Sequence, residues 1–187
     1  MAVVKERAPV VGLVCARDID RVDELARTSA LITHAHPLGQ GAAVLIARAT
    51  ALAMNARDSS EILDALHARP EQPQFRERLD VARTWIHSPL AHPRDVRRRL
   101  GNGIAATESC VTALYIALRF LDAPFDEMLR YVATCRGDVD TIGAMAGAIW
   151  GARNGDGALP PAALANLEAA DRIRNVALAL HAVVEPR

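Results

Sequence analysis

The densest concentration of reactive side chains is Gly137-Asp138-Val139-Asp140-Thr141-Ile142-Gly143. Two carboxylates and a hydroxyl within four residues, at the mouth of an apolar helix, make a hard-oxygen cluster suited to Mg²⁺ or Mn²⁺. In a regular helix, side chains two residues apart diverge by roughly 200°. Asp138 and Asp140 would therefore lie on opposite sides of one metal, serve two adjacent metals, or bend in from a non-helical entry turn. A plainer reading makes Asp138 an N-cap and Asp140 a first-turn acid, both favoured by the helix dipole. Gly143, Gly147 and Gly151 follow at intervals of four. A glycine costs about 1 kcal/mol in a helix interior relative to alanine, so three on one face predict close approach by a neighbouring backbone or a ligand.

Other candidates are weaker. His34 and His36 form a His-x-His pair ahead of Pro37, and two histidines alone make a poor metal site, so His36 is read as structural. Glu108 stands at a helix start, where capping or dipole compensation accounts for it. Arg94, Arg97, Arg98 and Arg99 could grip a pyrophosphate, although a solvated basic loop is the commoner meaning of such a run. Cys15, Cys110 and Cys135 are odd in number and form no CxxC pair, so they are predicted to be buried thiols rather than a disulfide framework or a zinc cluster. The start of the chain lacks the order of a secretory signal, which together with the cysteines predicts a cytoplasmic protein.

The elements that must hold these residues are helices. The chain is 51% hydrophobic, with 22 basic against 22 acidic residues. That composition excludes a disordered chain and a generally basic nucleic-acid-binding domain, and 187 residues suffice for a single domain, 1–187. No stretch reads as a membrane span, the apolar Ala144 to Ala152 being too short. Asp18 is placed to cap a helix reaching about Thr33, and Ala42 to Met54 is apolar on nearly every face, as expected of a central helix. Asp58-Ser59-Ser60 caps a short helix, and Leu79, Ala82, Trp85 and Ile86 mark another. Pro89 to Gly103 reads as a long loop with one helical turn. Beyond it, Val111 to Leu121, Phe125 to Ala133, Asp138 to Gly151 and Ile173 to Val184 repeat with helical period. Acids Asp18, Asp20, Asp23 and Glu24 look like a solvated face. Only Pro9 to Cys15, with Val10, Val11, Leu13 and Val14, reads as a strand, and one strand makes no sheet. The prediction is a compact all-α domain.

Gly137 to Ala152 resembles the C-terminal metal-binding signature of the ADP-ribosylglycohydrolases, enzymes that remove ADP-ribose from modified proteins and small molecules. Leu100-Gly-Asn-Gly-Ile-Ala-Ala-Thr-Glu-Ser109 is similar to the segment ahead of that signature. Ala30-Leu-Ile-Thr-His-Ala-His-Pro37 resembles the family's Thr-His element, and Arg7 to Leu13 the segment upstream of it. The resemblance implies an all-α fold and a pair of Mg²⁺ or Mn²⁺ ions. It implies Asp138, Asp140 and Thr141 as metal ligands, His34 against the ADP-ribose, and Gly103 and Ile104 lining its pocket. It also implies an upstream portion carrying a Gly-Asp element, a second acidic cluster and the catalytic glutamate, none of which is matched here, so no catalytic residue is assigned. The expectation is a family member lacking its N-terminal part, binding ADP-ribose or ADP-ribosylated protein, with activity weak or lost. The alternatives are a site completed by another subunit, or a structural module in which the metal motif is only a helix cap. Neither nucleic acid nor membrane is expected as a partner. Uncovered apolar faces would favour a homo-oligomer.

Overall fold

The computed structural model describes residues 2–55, 58–69 and 73–184. Among them the chain is helical throughout, with eleven α-helices, one 3₁₀ turn and no strand.

The β-prone run is the main departure. Val10 to Val14 lies inside α1, Ala2–Val14, with Pro9 in the helix interior. A proline there costs about 3 kcal/mol, and the local preference for strand is overridden by packing. Gly12 meets α3 so closely that a Cβ would lie 2.9 Å from Thr50 Cβ and nearer still to the Ala47 carbonyl oxygen. Ala8 is buried on the same helix.

The helix α2, Ile19–Leu31, starts as predicted, with Asp18 accepting from the Arg21 N–H at 3.1 Å, and buries Val22, Ala26 and Ala30 at intervals of four. Next comes α3, Pro37–Met54, the central element, which begins five residues earlier than the apolar run because His36 caps it and Pro37 opens it. Its 18 residues are long and apolar enough to cross a bilayer, contrary to expectation, but most are buried inside the bundle. Small side chains, from Gly39 and Gly41 through Ala42, Ala43, Ala47, Ala49, Ala51 and Ala53, let α1, α2, α7 and α9 pack around it.

A pair of shorter helices follows, α4, Ser59–Ala68, capped by Asp58, and α5, Pro73–Ile86. The predicted loop holds nearly two turns of helix, α6, Pro93–Arg99, capped by His92. The longest buried row after α3 belongs to α7, Ala106–Arg119, which pairs with α9, Val139–Asn154, while α8, Phe125–Cys135, covers α9. A 3₁₀ turn, Asp156–Ala158, and α10, Pro161–Ala165, lead to α11, Ala170–Val184. The latter touches α1 and buries no residue.

The acids around α2 lie largely on a solvated face, as expected, but Asp23 and Asp20 also make ion pairs. Asp23 forms a two-pronged ion pair with the buried Arg48, whose Nη1 also donates to the Arg69 carbonyl at 2.7 Å. Asp20 pairs with Arg69 at 2.9 Å. A charge as deeply placed as Arg48 is tolerated only with such partners.

Candidate functional site

Two tight segments meet at one end of α7 and α9. At the end of α8, Arg136 (φ 55°) and Gly137 (φ 77°) turn the chain with two successive left-handed residues. Only glycine serves at 137, because a Cβ would run into the Asn102 carbonyl oxygen. Asp138 N–H then donates to that oxygen at 2.8 Å, and Asn102 Nδ2 donates to the Cys135 carbonyl at 2.9 Å, closing the end of α8.

Asp138 stands at the N-cap position with a non-helical backbone, φ −80° and ψ 56°, and its side chain makes no capping hydrogen bond. The plain capping reading therefore fails for this residue. Its Oδ2 is buried and has no hydrogen-bond partner among the described residues. The Asp138 and Asp140 side chains interact across this non-helical entry. The Thr141 N–H, hydrogen bonding to the Asp138 side chain and the backbone of Asp140 hold the Asp140 carboxyl below the usual carboxylate range. Thr141 is buried, and Asp140 is exposed.

The neighbouring loop, 101–104, is pinned along its whole length. Thr112 Oγ1 donates to the Gly101 carbonyl at 2.5 Å, Gly103 N–H donates to Glu108 Oε2 at 3.0 Å, and Lys5 Nζ donates to the Ile104 carbonyl at 3.3 Å. Lys5 is completely buried and also reaches Ser109 Oγ at 2.5 Å. Glu108 thus holds the glycine loop rather than capping α7. Ile104 leaves its side chain 75% exposed.

The structure therefore joins Gly103 and Ile104 to the acidic turn through Asn102. His34 belongs to a different network, in which its Nδ1 lies 3.0 Å from Thr33 Oγ1, and that hydroxyl accepts from Arg7 Nη2 at 3.1 Å. His36 caps α3, its Nδ1 accepting from the Leu38 N–H at 3.2 Å. The glycine stripe of α9 makes no close approach. Cβ atoms at Gly143 and Gly147 would meet α8 side chains at 3.4 Å or more, and one at Gly151 would meet nothing within 4 Å. Of the arginine run, Arg97 donates to the Thr134 carbonyl at 3.3 Å, fastening α6 to α8. A cleft of about 660 Å³ between the end of α1, the start of α2 and α11 contains none of the predicted site residues.

The match to a family model settles the kinship, because the ADP-ribosylglycohydrolase model covers residues 2–187. The chain belongs to the ADP-ribosylglycohydrolase family. Within it, the chain is 32% identical over 195 residues to the ADP-ribosylhydrolase ARH3 of Homo sapiens, covering 89% of this chain and 54% of that protein. The ADP-ribosylhydrolase ARH3 of Gallus gallus is 31% identical, with 88% and 52% covered. The uncharacterized protein YegU of Escherichia coli is 29% identical, with 89% and 53% covered. The chain spans about half the length of these curated relatives.

A divalent cation suits the acidic turn of this ADP-ribosylglycohydrolase chain on its own chemistry. The donors are all oxygen, Asp138 offers a buried oxygen without a partner, and Asp140 stays charged at neutral pH. Among the described residues no group of three or more His, Cys, Asp or Glu stands together as a metal cage.

Proposed function

We propose that this chain binds ADP-ribose, or ADP-ribosylated protein, together with Mg²⁺ or Mn²⁺, and that by itself it hydrolyses the ADP-ribosyl bond weakly or not at all. The observation that carries this is the buried, partnerless Oδ2 of Asp138 beside Asp140. A buried carboxylate oxygen without a donor costs about 1–3 kcal/mol, and a cation ligated there removes that cost. Asp138, Asp140 and Thr141 would hold the cation. When bound, it supplies Lewis acidity at the ribose and lowers the pKa of bound water.

The chain's own residues bind and orient. The pinned loop presents Gly103 and the exposed Ile104 side chain to the ligand, and His34 contributes from the turn between α2 and α3. Hydrolysis also needs a base beside the attacking water. Glu108, the other acid of this loop network, is committed to Gly103 N–H. That commitment supports the weak-or-lost reading.

A second reading has the site completed by another subunit in a homo-oligomer. The exposed apolar row of α11 favours it: Ile173, Val176 and Val183 are all more than half exposed. Incubating the purified chain with serine- and arginine-ADP-ribosylated peptides and Mg²⁺ separates the two. Little or no release of ADP-ribose is expected. Rapid release that Asp140→Ala abolishes would overturn the first reading in favour of a complete enzyme.

A further inference from the structure

Glu108 and Lys5 hydrogen-bond the 101–104 loop at adjacent residues, Gly103 and Ile104, and neither has a place among the ligands considered above. The Glu108 carboxylate sits in the concavity of Gly101-Asn102-Gly103. A Cβ on Gly103 would lie 2.7 Å from its Oε2, and one on Gly101 2.8 Å from its carboxyl carbon. Glycine is required at 101, where a Cβ would meet Glu108 Cβ at 2.7 Å and Cγ closer still and where φ is 88°, and at 103 its missing Cβ leaves room for the carboxylate. Lys5 holds the next residue, crossing from α1 to the Ile104 carbonyl and to Ser109. A fully buried ammonium is costly, and it persists only where hydrogen bonds repay its desolvation.

We propose that Glu108 and Lys5 are positioning residues that lock the 101–104 loop in the form that receives the ligand, a role resting on the reading that Gly103 and Ile104 line an ADP-ribose pocket. Locking the loop beforehand spares the ligand the cost of ordering it. The acidic turn is tied to the same loop, because the Asn102 carbonyl accepts from the Asp138 N–H. The clamp therefore acts first on affinity for ADP-ribose, and affinity for the bare cation changes less.

The test uses Glu108→Ala, Glu108→Gln and Lys5→Met in the full chain, each checked for a cooperative melt. Amide hydrogen exchange of Asn102 and Gly103 is read without ligand, and calorimetry reads ADP-ribose and Mn²⁺ separately. Glu108→Ala should speed Gly103 exchange at least tenfold and weaken ADP-ribose at least fivefold, with a smaller loss of Mn²⁺ affinity. Glu108→Gln, which keeps an acceptor oxygen for Gly103 N–H, should restore most of both effects. Lys5→Met should weaken ADP-ribose in the same way if Glu108→Ala proves unable to fold. Faster exchange with unchanged ADP-ribose affinity overturns the clamp alone. Absence of ADP-ribose binding by the wild-type chain overturns the reading beneath it.

Discussion

Burial raises the Cys110 thiol to about 12 and the Cys135 thiol to about 11. Both are protonated at neutral pH and neither is a nucleophile. In the native chain iodoacetamide should leave them unlabelled at pH 7.5, whereas denaturant should expose them; mass spectrometry reads the difference. Because the folded values lie above the unfolded ones, these thiols favour the native state fully below about pH 9, and that contribution is lost as pH climbs toward 11 and 12. Urea midpoints measured across that range should fall, and fall less in Cys110→Ala. At this scale the acidic turn could be picked out of the sequence, since hard-oxygen residues spaced two apart announce themselves. What the spacing did not reveal was how Asp138 and Asp140 interact, which depends on two left-handed residues, Arg136 and Gly137, before the helix. Glu108 is the helix-start acid expected, in the first turn of α7, but its bond to Gly103 was not foreseen. The available signal was the Gly101-x-Gly103 pair five to seven residues before it, glycines whose missing Cβ atoms make room for that side chain.

Helix boundaries followed from caps and periodicity wherever the capping residue was Asp. Histidine caps at α3 and α6 were overlooked, which is why α3 was predicted to begin at Ala42 and α6 was reduced to one turn. The strand expected at Pro9 to Cys15 failed for a different reason. Its valines satisfy either geometry, and the choice is made by α3, which presents a backbone surface that only a glycine-bearing helix can approach. Gly12→Ala should therefore cost about 2–3 kcal/mol, since overpacking against backbone has little room to relax. Chemical denaturation measures this, and a loss under about 0.5 kcal/mol would mean that α1 is not seated on α3 as described. The glycines of α9, by contrast, admit no neighbouring backbone. They face α8 side chains or open space, so Gly151→Ala should not destabilise the fold.

For the molecule as a whole, the apolar residues of the last helix stand out, because α11 repeats Ile173, Val176, Leu180 and Val183 without burying any of them. Exposed apolar rows of this kind drive association. Sedimentation velocity should show concentration-dependent self-association that Val176→Glu with Val183→Glu reduces, and a strictly monomeric wild type would count against it. The all-α class was readable from composition and period. The arrangement of helices was not, because it rests on long-range fits such as Gly12 on α3 and Lys5 on Ile104. The central claim, that the acidic turn of this family member takes up a divalent cation and supports ADP-ribose binding, is tested most directly by calorimetric titration of Mn²⁺ and then ADP-ribose into the wild-type chain and Asp138→Ala. Saturable heats for both ligands in the wild type, with the Mn²⁺ heat abolished and the ADP-ribose heat diminished in Asp138→Ala, are predicted. No heat in the wild type, or equal heats in both proteins, would contradict it.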